Sequence, residues 1–212
     1  MARSILFDLD GTLTDSGEGI INCAALALEH FGLPVPDRET MRVFVGPPLR
    51  DTFHQFGVPQ DQLDKAVEVY RSRYIPIGIY ENVPYPGIRE LLEKLQGNGH
   101  RLFVATSKPE WMAETVLEKF DLAKYFTRVC GATMDGSRVH KADVIDYLLG
   151  KIGAPEDILM VGDTEFDVTG AAAHGIKTIG VSWGYGKVAA MEQAGAIAIA
   201  NTMEELEMLI NR

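Results

Sequence analysis

The chain has 212 residues, 46% of them hydrophobic, which is enough for one full core and a smaller appendage and is the composition of a globular rather than a disordered protein. A formal net charge of −10, with no basic run, excludes a general affinity for nucleic-acid backbone. No window approaches the length of a membrane span, and the N-terminus lacks a basic stretch leading into a long apolar one, so a cytoplasmic protein without a membrane partner is expected.

The first element in chain order is the apolar run Ser4-Ile5-Leu6, which passes directly into Phe7-Asp8-Leu9-Asp10-Gly11-Thr12-Leu13-Thr14-Asp15-Ser16. A buried strand cannot continue through two carboxylates, a glycine and hydroxyls, because those groups must face solvent or a ligand. It reads as a strand emptying into a site. Gly17 to Phe31 then carries Ile20, Ile21, Ala24, Leu28 and Phe31 at helical spacing, and Gly32 closes it. Cys23 falls here and Cys130 far away, in no metal-binding spacing, so both are predicted to be reduced, buried thiols. Asp37 can cap a second short helix that Gly46-Pro47-Pro48 breaks. Leu49, Phe53 and Phe56 mark a third, and Asp61 to Tyr74 a fourth that Pro76 stops. Nothing between Ser16 and Pro76 reads as a strong strand. Residues 16–78 are therefore predicted to be a small helical cap set into a core made of residues 1–15 and 79–212.

From Pro86 onward helices and strands alternate, the pattern of a parallel sheet covered on both faces. A helix through Ile88, Leu91, Leu92 and Leu95 leads to a buried strand Arg101 to Thr106, a helix Glu110 to Phe120 and a strand Thr127 to Gly131. Next come a helix Lys141 to Ile152, a strand Ile158 to Val161 entering Gly162-Asp163, a helix Phe166 to His174, a strand Ile176 to Val181 and a final helix Met203 to Ile210. The fold class is thus α/β, with a Rossmann-like sheet and a helical insert after its first strand.

Open parallel sheets bind ligands beyond the carboxyl ends of their strands. Four predicted strands present polar groups there: Asp8 and Asp10, Thr106 and Ser107, Lys141 after a short loop, and Asp163 with Asp167. Converging carboxylates without His or Cys suit a hard cation that keeps several waters, which is Mg²⁺. The ammonium of Lys141 and the hydroxyls of Thr106 and Ser107 would complement a phosphoryl group. A carboxylate at phosphorus, Asp8, can attack it to give an aspartyl phosphate. Asp10 would protonate the leaving alkoxide and later take a proton from water, a role that burial under the insert would favour, with Thr12 fixing it by a hydrogen bond.

These stretches carry a resemblance. Asp8-Leu-Asp-Gly-Thr12, the apolar strand ending in Thr106-Ser-Lys-Pro109, the isolated Lys141 and Gly162-Asp-Thr-Glu-Phe-Asp167 resemble, in order and spacing, the four motifs of the haloacid dehalogenase superfamily over essentially the whole chain. The insert is similar to the cap of phosphoglycolate phosphatase-like members. The resemblance implies a Rossmann-like core, Asp8 as nucleophile, Asp10 as acid and base, and Thr106 and Lys141 on the phosphoryl group. It also implies Mg²⁺ held by Asp8, the carbonyl of Asp10, Asp163, and Asp167 directly or through water.

Dehalogenation would need neither a second acid nor a metal, so Asp10, Asp163 and Lys141 favour phosphoryl transfer. A phosphomutase would share the four motifs, and a non-catalytic binding module would have no use for nucleophile, acid and cation ligands together. The partner expected is a small phosphorylated metabolite. Gly46 and Arg50 are the insert residues predicted to meet it, Arg50 as a clamp on a second anionic group such as the carboxylate of phosphoglycolate. Phe44-Val-Gly-Pro-Pro-Leu49 and Trp183-Gly-Tyr-Gly186 also resemble a 5'-nucleotidase-like branch, which implies a nucleoside at the mouth. Trp183 itself reads as a residue of the core rim, Asp15 as a hinge or cap residue, and the five histidines as surface or packing residues.

Overall fold

A computed structural model describes residues 2–153 and 156–212. The N-terminal apolar run is strand β1 (Ser4–Phe7), buried at every position. After the turn at Asp8 to Leu13, a two-residue strand β2 (Thr14–Asp15) leads into α1 (Gly17–His30), α2 (Arg38–Met41), α3 (Leu49–Gln55) and α4 (Leu63–Tyr74). The chain returns through β3 (Val83–Pro84), which pairs antiparallel with β2, so entry to and exit from the helical insert lie side by side. Then follow α5 (Ile88–Gly97), β4 (Arg101–Pro109), α6 (Glu110–Lys119), β5 (Arg128–Ala132) and α7 (Lys141–Ile152). The last elements are β6 (Ile158–Gly162), α8 (Glu165–Ala172), β7 (Lys177–Val181), α9 (Val188–Ala194), β8 (Ala198–Ala200) and α10 (Met203–Ile210).

Six strands form one parallel sheet in the order β5-β4-β1-β6-β7-β8. Strand β1 lies between the two halves, with Phe7 opposite both Val104 and Val161. The chain builds outward from β1 on one side, then crosses back to β6 on the other, so the order reverses beside β1 and opens a crevice at its carboxyl end. The period-2 alternation of strand side chains decides which helices cover which face. Ile5, Phe7, Val104 and Val161 pack with α5, α6 and α10, whereas Leu6, Phe103 and Met160 pack with α7 and α8.

In the insert, Asp37 caps α2 by accepting the Thr40 amide at 2.8 Å, as its sequence predicts. Helices α1 and α4 lie against each other, and α3 packs on α4 around Phe44, Phe53, Phe56, Tyr70 and Tyr74. Phe44 sits 5.1 Å from Phe53 and 4.8 Å from Phe56 between ring centres. The insert and the first face of the sheet share one continuous apolar cluster. Among the described residues no helix is long and apolar enough to cross a membrane.

Most helices stand within a residue or two of their expected bounds, and α7 and α10 match them; the helix capped by Asp37, expected to run through Val45, ends at Met41, where the chain tightens into a 3-10 turn, Arg42–Phe44. The β2–β3 ribbon, α9 and β8 are additions to that reading. β8 is three residues of Ala-Ile-Ala, too short to show alternation, and it exists because β7 offers it a free edge.

Candidate active site

Asp8 is the first residue after β1, and its amide still donates to the Val161 carbonyl at 2.9 Å, so the neighbouring strand fixes where its side chain starts. The amides of Thr12, Leu13 and Thr14 then turn in on the Leu9 carbonyl. Gly11 takes φ +85°, a left-handed conformation that glycine adopts without strain. The turn buries Asp8, Asp10 and Thr12 together.

Lys141, at the start of α7, reaches into this turn. Its ammonium lies 2.8 Å from Asp8 Oδ1 and 2.8 Å from Asp167 Oδ1, and donates to the Ala105 carbonyl at 2.9 Å. Burial opposes its charge, but Asp167 and Asp8 outweigh that and hold the ammonium protonated above its ordinary range. Asp167 owes its place to a capping box at the start of α8, where its Oδ2 accepts from the Thr164 amide at 3.0 Å and the Thr164 hydroxyl at 2.9 Å. Asp163 follows β6 and is fully buried; it accepts from the Tyr185 amide at 2.8 Å and the Thr12 hydroxyl at 3.1 Å. Thr12 therefore fixes Asp163, not Asp10 as expected from the sequence, because the turn directs its hydroxyl toward β6.

Oxygens of Asp8, Asp163 and Asp167 lie within 4.8 Å of one another. Burial, with the charges of Asp167 and Asp8, pushes the Asp163 carboxyl up to about 8. Burial pushes Asp8 up to about 6 even though Lys141 pulls it down. Three buried carboxylates thus lie together with one ammonium, which pairs with Asp8 and Asp167, an all-oxygen donor set short of positive charge, and these residues fit a hard divalent cation. Asp10 stands outside the trio, so its main-chain carbonyl is what it could offer a cation.

The Asp10 carboxylate is held by a residue to which the sequence reading gave no role. Lys108 Nζ donates to both of its oxygens, at 2.7 and 2.9 Å, and the pair is buried. Above it lies the Tyr74 ring of α4, 5.0 Å from Nζ to centroid. Burial works against the Lys108 charge, but Asp10 outweighs it and holds the ammonium above its usual range. The signal was available, since two acids two residues apart need more counter-charge than Lys141 alone supplies, and Lys108 sits within Thr106-Ser-Lys-Pro109.

Asp8, Asp10 and Lys108 form the floor of a cavity of about 710 Å³ between the sheet edge and the insert, and Lys141, Asp163 and Asp167 lie behind Asp8. Thr106 and Ser107 line it, the Thr106 hydroxyl accepting from the Lys108 amide at 3.2 Å. Gly46 and Arg50 line the insert side. Arg50 is half-exposed and paired with Asp64, so its guanidinium is already engaged within the insert. Arg71, one turn before Tyr74, also lines the cavity and makes no ion pair among the described residues; burial lowers its pKa. His140 borders the cavity beside Lys141. Trp183 is half-buried against the core, its indole N–H donating to the Thr12 carbonyl at 3.2 Å, a core-rim position.

The model of the family described as haloacid dehalogenase-like hydrolase matches residues 5–181. The chain belongs to that family. It is 44% identical over 185 residues to a 5'-nucleotidase of Pseudomonas aeruginosa, covering 86% of this chain and 84% of the relative. It is 41% identical over 205 residues to the tyrosine-protein kinase PtkA of Mycobacterium tuberculosis, covering 95% and 70%. The crystal structure of a predicted phosphatase from Clostridium acetobutylicum superposes with a TM-score of 0.96 at 38% identity, covering 100% of this chain and 99% of the other. As a haloacid dehalogenase-like hydrolase the chain is a phosphoric monoester hydrolase.

Proposed function

We propose that this hydrolase is a Mg²⁺-dependent phosphatase of small metabolites, with 5'-nucleotides as its preferred class, working through an aspartyl phosphate on Asp8. The observation that carries the reading is the buried Asp8 carboxylate, flanked by Lys141 and by Asp163 and Asp167, at the floor of a cavity large enough for a nucleoside. The 5'-nucleotidase relative supports the same substrate class, as do Phe44, Tyr70 and Met112 in the cavity lining. Phosphoglycolate, which the insert's resemblance implies, would fill only a fraction of that volume.

In this mechanism Asp8 Oδ attacks phosphorus as the ester P–O bond breaks, and Asp10 protonates the departing alkoxide. A water then attacks the phosphorus of the acyl phosphate and gives its proton to Asp10, which frees inorganic phosphate and Asp8. Lys141 and the Thr106 and Ser107 groups hold the phosphoryl oxygens, and Lys108 keeps Asp10 aimed at the leaving group. Bound by Asp8, the Asp10 carbonyl, Asp163 and Asp167, Mg²⁺ would cancel repulsion between the nucleophile and the dianionic substrate. Arg71 is the candidate for holding the oxygen-rich leaving group. Comparing kcat/KM for 5'-nucleotides, phosphoglycolate and sugar phosphates tests the substrate class; preference for phosphoglycolate would overturn it. Hydrolysis unaffected by EDTA would overturn the cation requirement.

A further inference from the structure

The loop after β7 joins Asp163 to the strands that lead into the insert. Its Tyr185 amide donates to Asp163 at 2.8 Å, and the loop's main chain lies so close to Asp163 that a side chain at Gly184 or Gly186 would overlap it. From there the Tyr185 ring crosses to the strands that lead into the insert. Its hydroxyl accepts from the Gly17 amide at 2.7 Å and bonds to the Asp15 carboxylate. Gly17 has no room for a side chain because that hydroxyl occupies the space. Over the ring lies Arg42 of the insert, 5.0 Å from its centroid, which also donates to the Gly184 carbonyl at 3.1 Å.

Asp15 belongs to β2 and Gly17 opens α1, so the hydroxyl sits where the chain turns from sheet to insert. A rotation of the insert about the β2–β3 ribbon changes the direction of the Asp15 and Gly17 groups and must strain or break the bonds to Tyr185. The same rigid aromatic residue holds Asp163 by its amide. Motion at one end is therefore transmitted to the other through a short path, the Tyr185 side chain with Arg42 beside it, rather than a long chain of contacts.

We propose that Tyr185 is a positioning residue that couples the seating of the insert to the cation site, so that cation binding and closure of the insert favour each other. Coupling of this kind is reciprocal: whatever loosens the Asp15–Tyr185–Gly17 knot weakens the cation, and the cation tightens the knot. The inference rests on the proposal that Asp163 binds a divalent cation.

Tyr185→Phe removes the hydroxyl while keeping the ring under Arg42 and the amide on Asp163. With MgCl₂ as the only ligand, calorimetry should show the Mg²⁺ dissociation constant rising about fivefold or more. Hydrogen exchange at residues 14–17 should be faster in the variant and should lose the protection that Mg²⁺ confers on the wild type. Asp15→Ala should give the same changes, and the double variant should be no worse than either single one. Unchanged Mg²⁺ affinity, retained protection at the junction, or additive effects would each overturn the coupling. If Mg²⁺ binds the wild type and only these variants behave normally, the coupling falls and the proposed function stands. If Mg²⁺ does not bind the wild type, both fall.

Discussion

The floor and the roof of the cavity are built on different terms. At the floor Asp8, and beneath it Asp163 and Asp167, are buried and bonded to backbone amides, hydroxyls or Lys141, on elements whose positions the parallel sheet sets. On the roof, Arg50 is half-exposed and paired with Asp64, Arg71 makes no ion pair among the described residues, and packing comes from tilted aromatic rings. A catalyst needs reacting groups held to fractions of an ångström, whereas a selector must admit and release its substrate. The contrast teaches that chemistry and choice are carried by separate stretches of one chain, meeting at Tyr74, which lies over the Lys108–Asp10 pair.

If that division holds, substitutions at the floor should act on all substrates alike and those in the roof unequally. Asp8→Asn should abolish turnover of p-nitrophenyl phosphate and nucleotides, by on the order of 10⁴-fold or more. Robust activity in that variant would break the comparison outright. Lys108→Met should lower kcat by about 10²-fold for both substrates, since Asp10 loses its counter-charge and its aim. A variant slow on one substrate and normal on the other would move Lys108 from floor to roof. Arg71→Gln should cost about tenfold in kcat/KM for a 5'-nucleotide and little for p-nitrophenyl phosphate. Equal losses on both would remove Arg71 from leaving-group recognition.

The smallest effect concerns stability. In metal-free protein, burial and the charges of Asp167 and Asp8 raise Asp163 from 3.8 to about 8. Between those values the folded chain retains a proton that the unfolded chain has released, so this group's contribution falls as pH rises. In EDTA the Tm of the wild type should drop by a few degrees relative to Asp163→Asn as pH is raised through that window. Parallel pH profiles for the two proteins would show that Asp163 carries no such charge penalty.

Part of the site is legible in the sequence because Asp8 and Asp163 directly follow apolar strands. An apolar run followed by acids announces both the sheet and the edge from which Asp8 and Asp163 project, and the structure brings Lys141 from the start of α7 and Asp167 from α8 to the same place. Lys108 is less legible, because its partner, Asp10, is distant in sequence, and folding is what buries its ammonium on that acid. Thr12 was assigned to the wrong aspartate for a related reason: the direction of a hydroxyl depends on the turn, not the spacing. In the roof, periodicity reveals the helices, but nothing in it distinguishes Arg50, bound to Asp64, from Arg71, which makes no ion pair among the described residues. Tyr185 was visible only as part of Trp183-Gly-Tyr-Gly186, and its reach to Gly17 spans most of the chain.

Asp163 is enclosed by glycines from distant parts of the sequence. A methyl group at Gly11 or Gly184 would collide with its carboxylate, and one at Gly186 with its carbonyl oxygen. None of the three can donate a proton or bind an ion through a side chain, yet each is defined by what it leaves out. A saturation screen for loss of function should return these glycines alongside the catalytic acids, with even alanine rejected. Heredity would then guard an empty volume as strictly as it guards a reactive group.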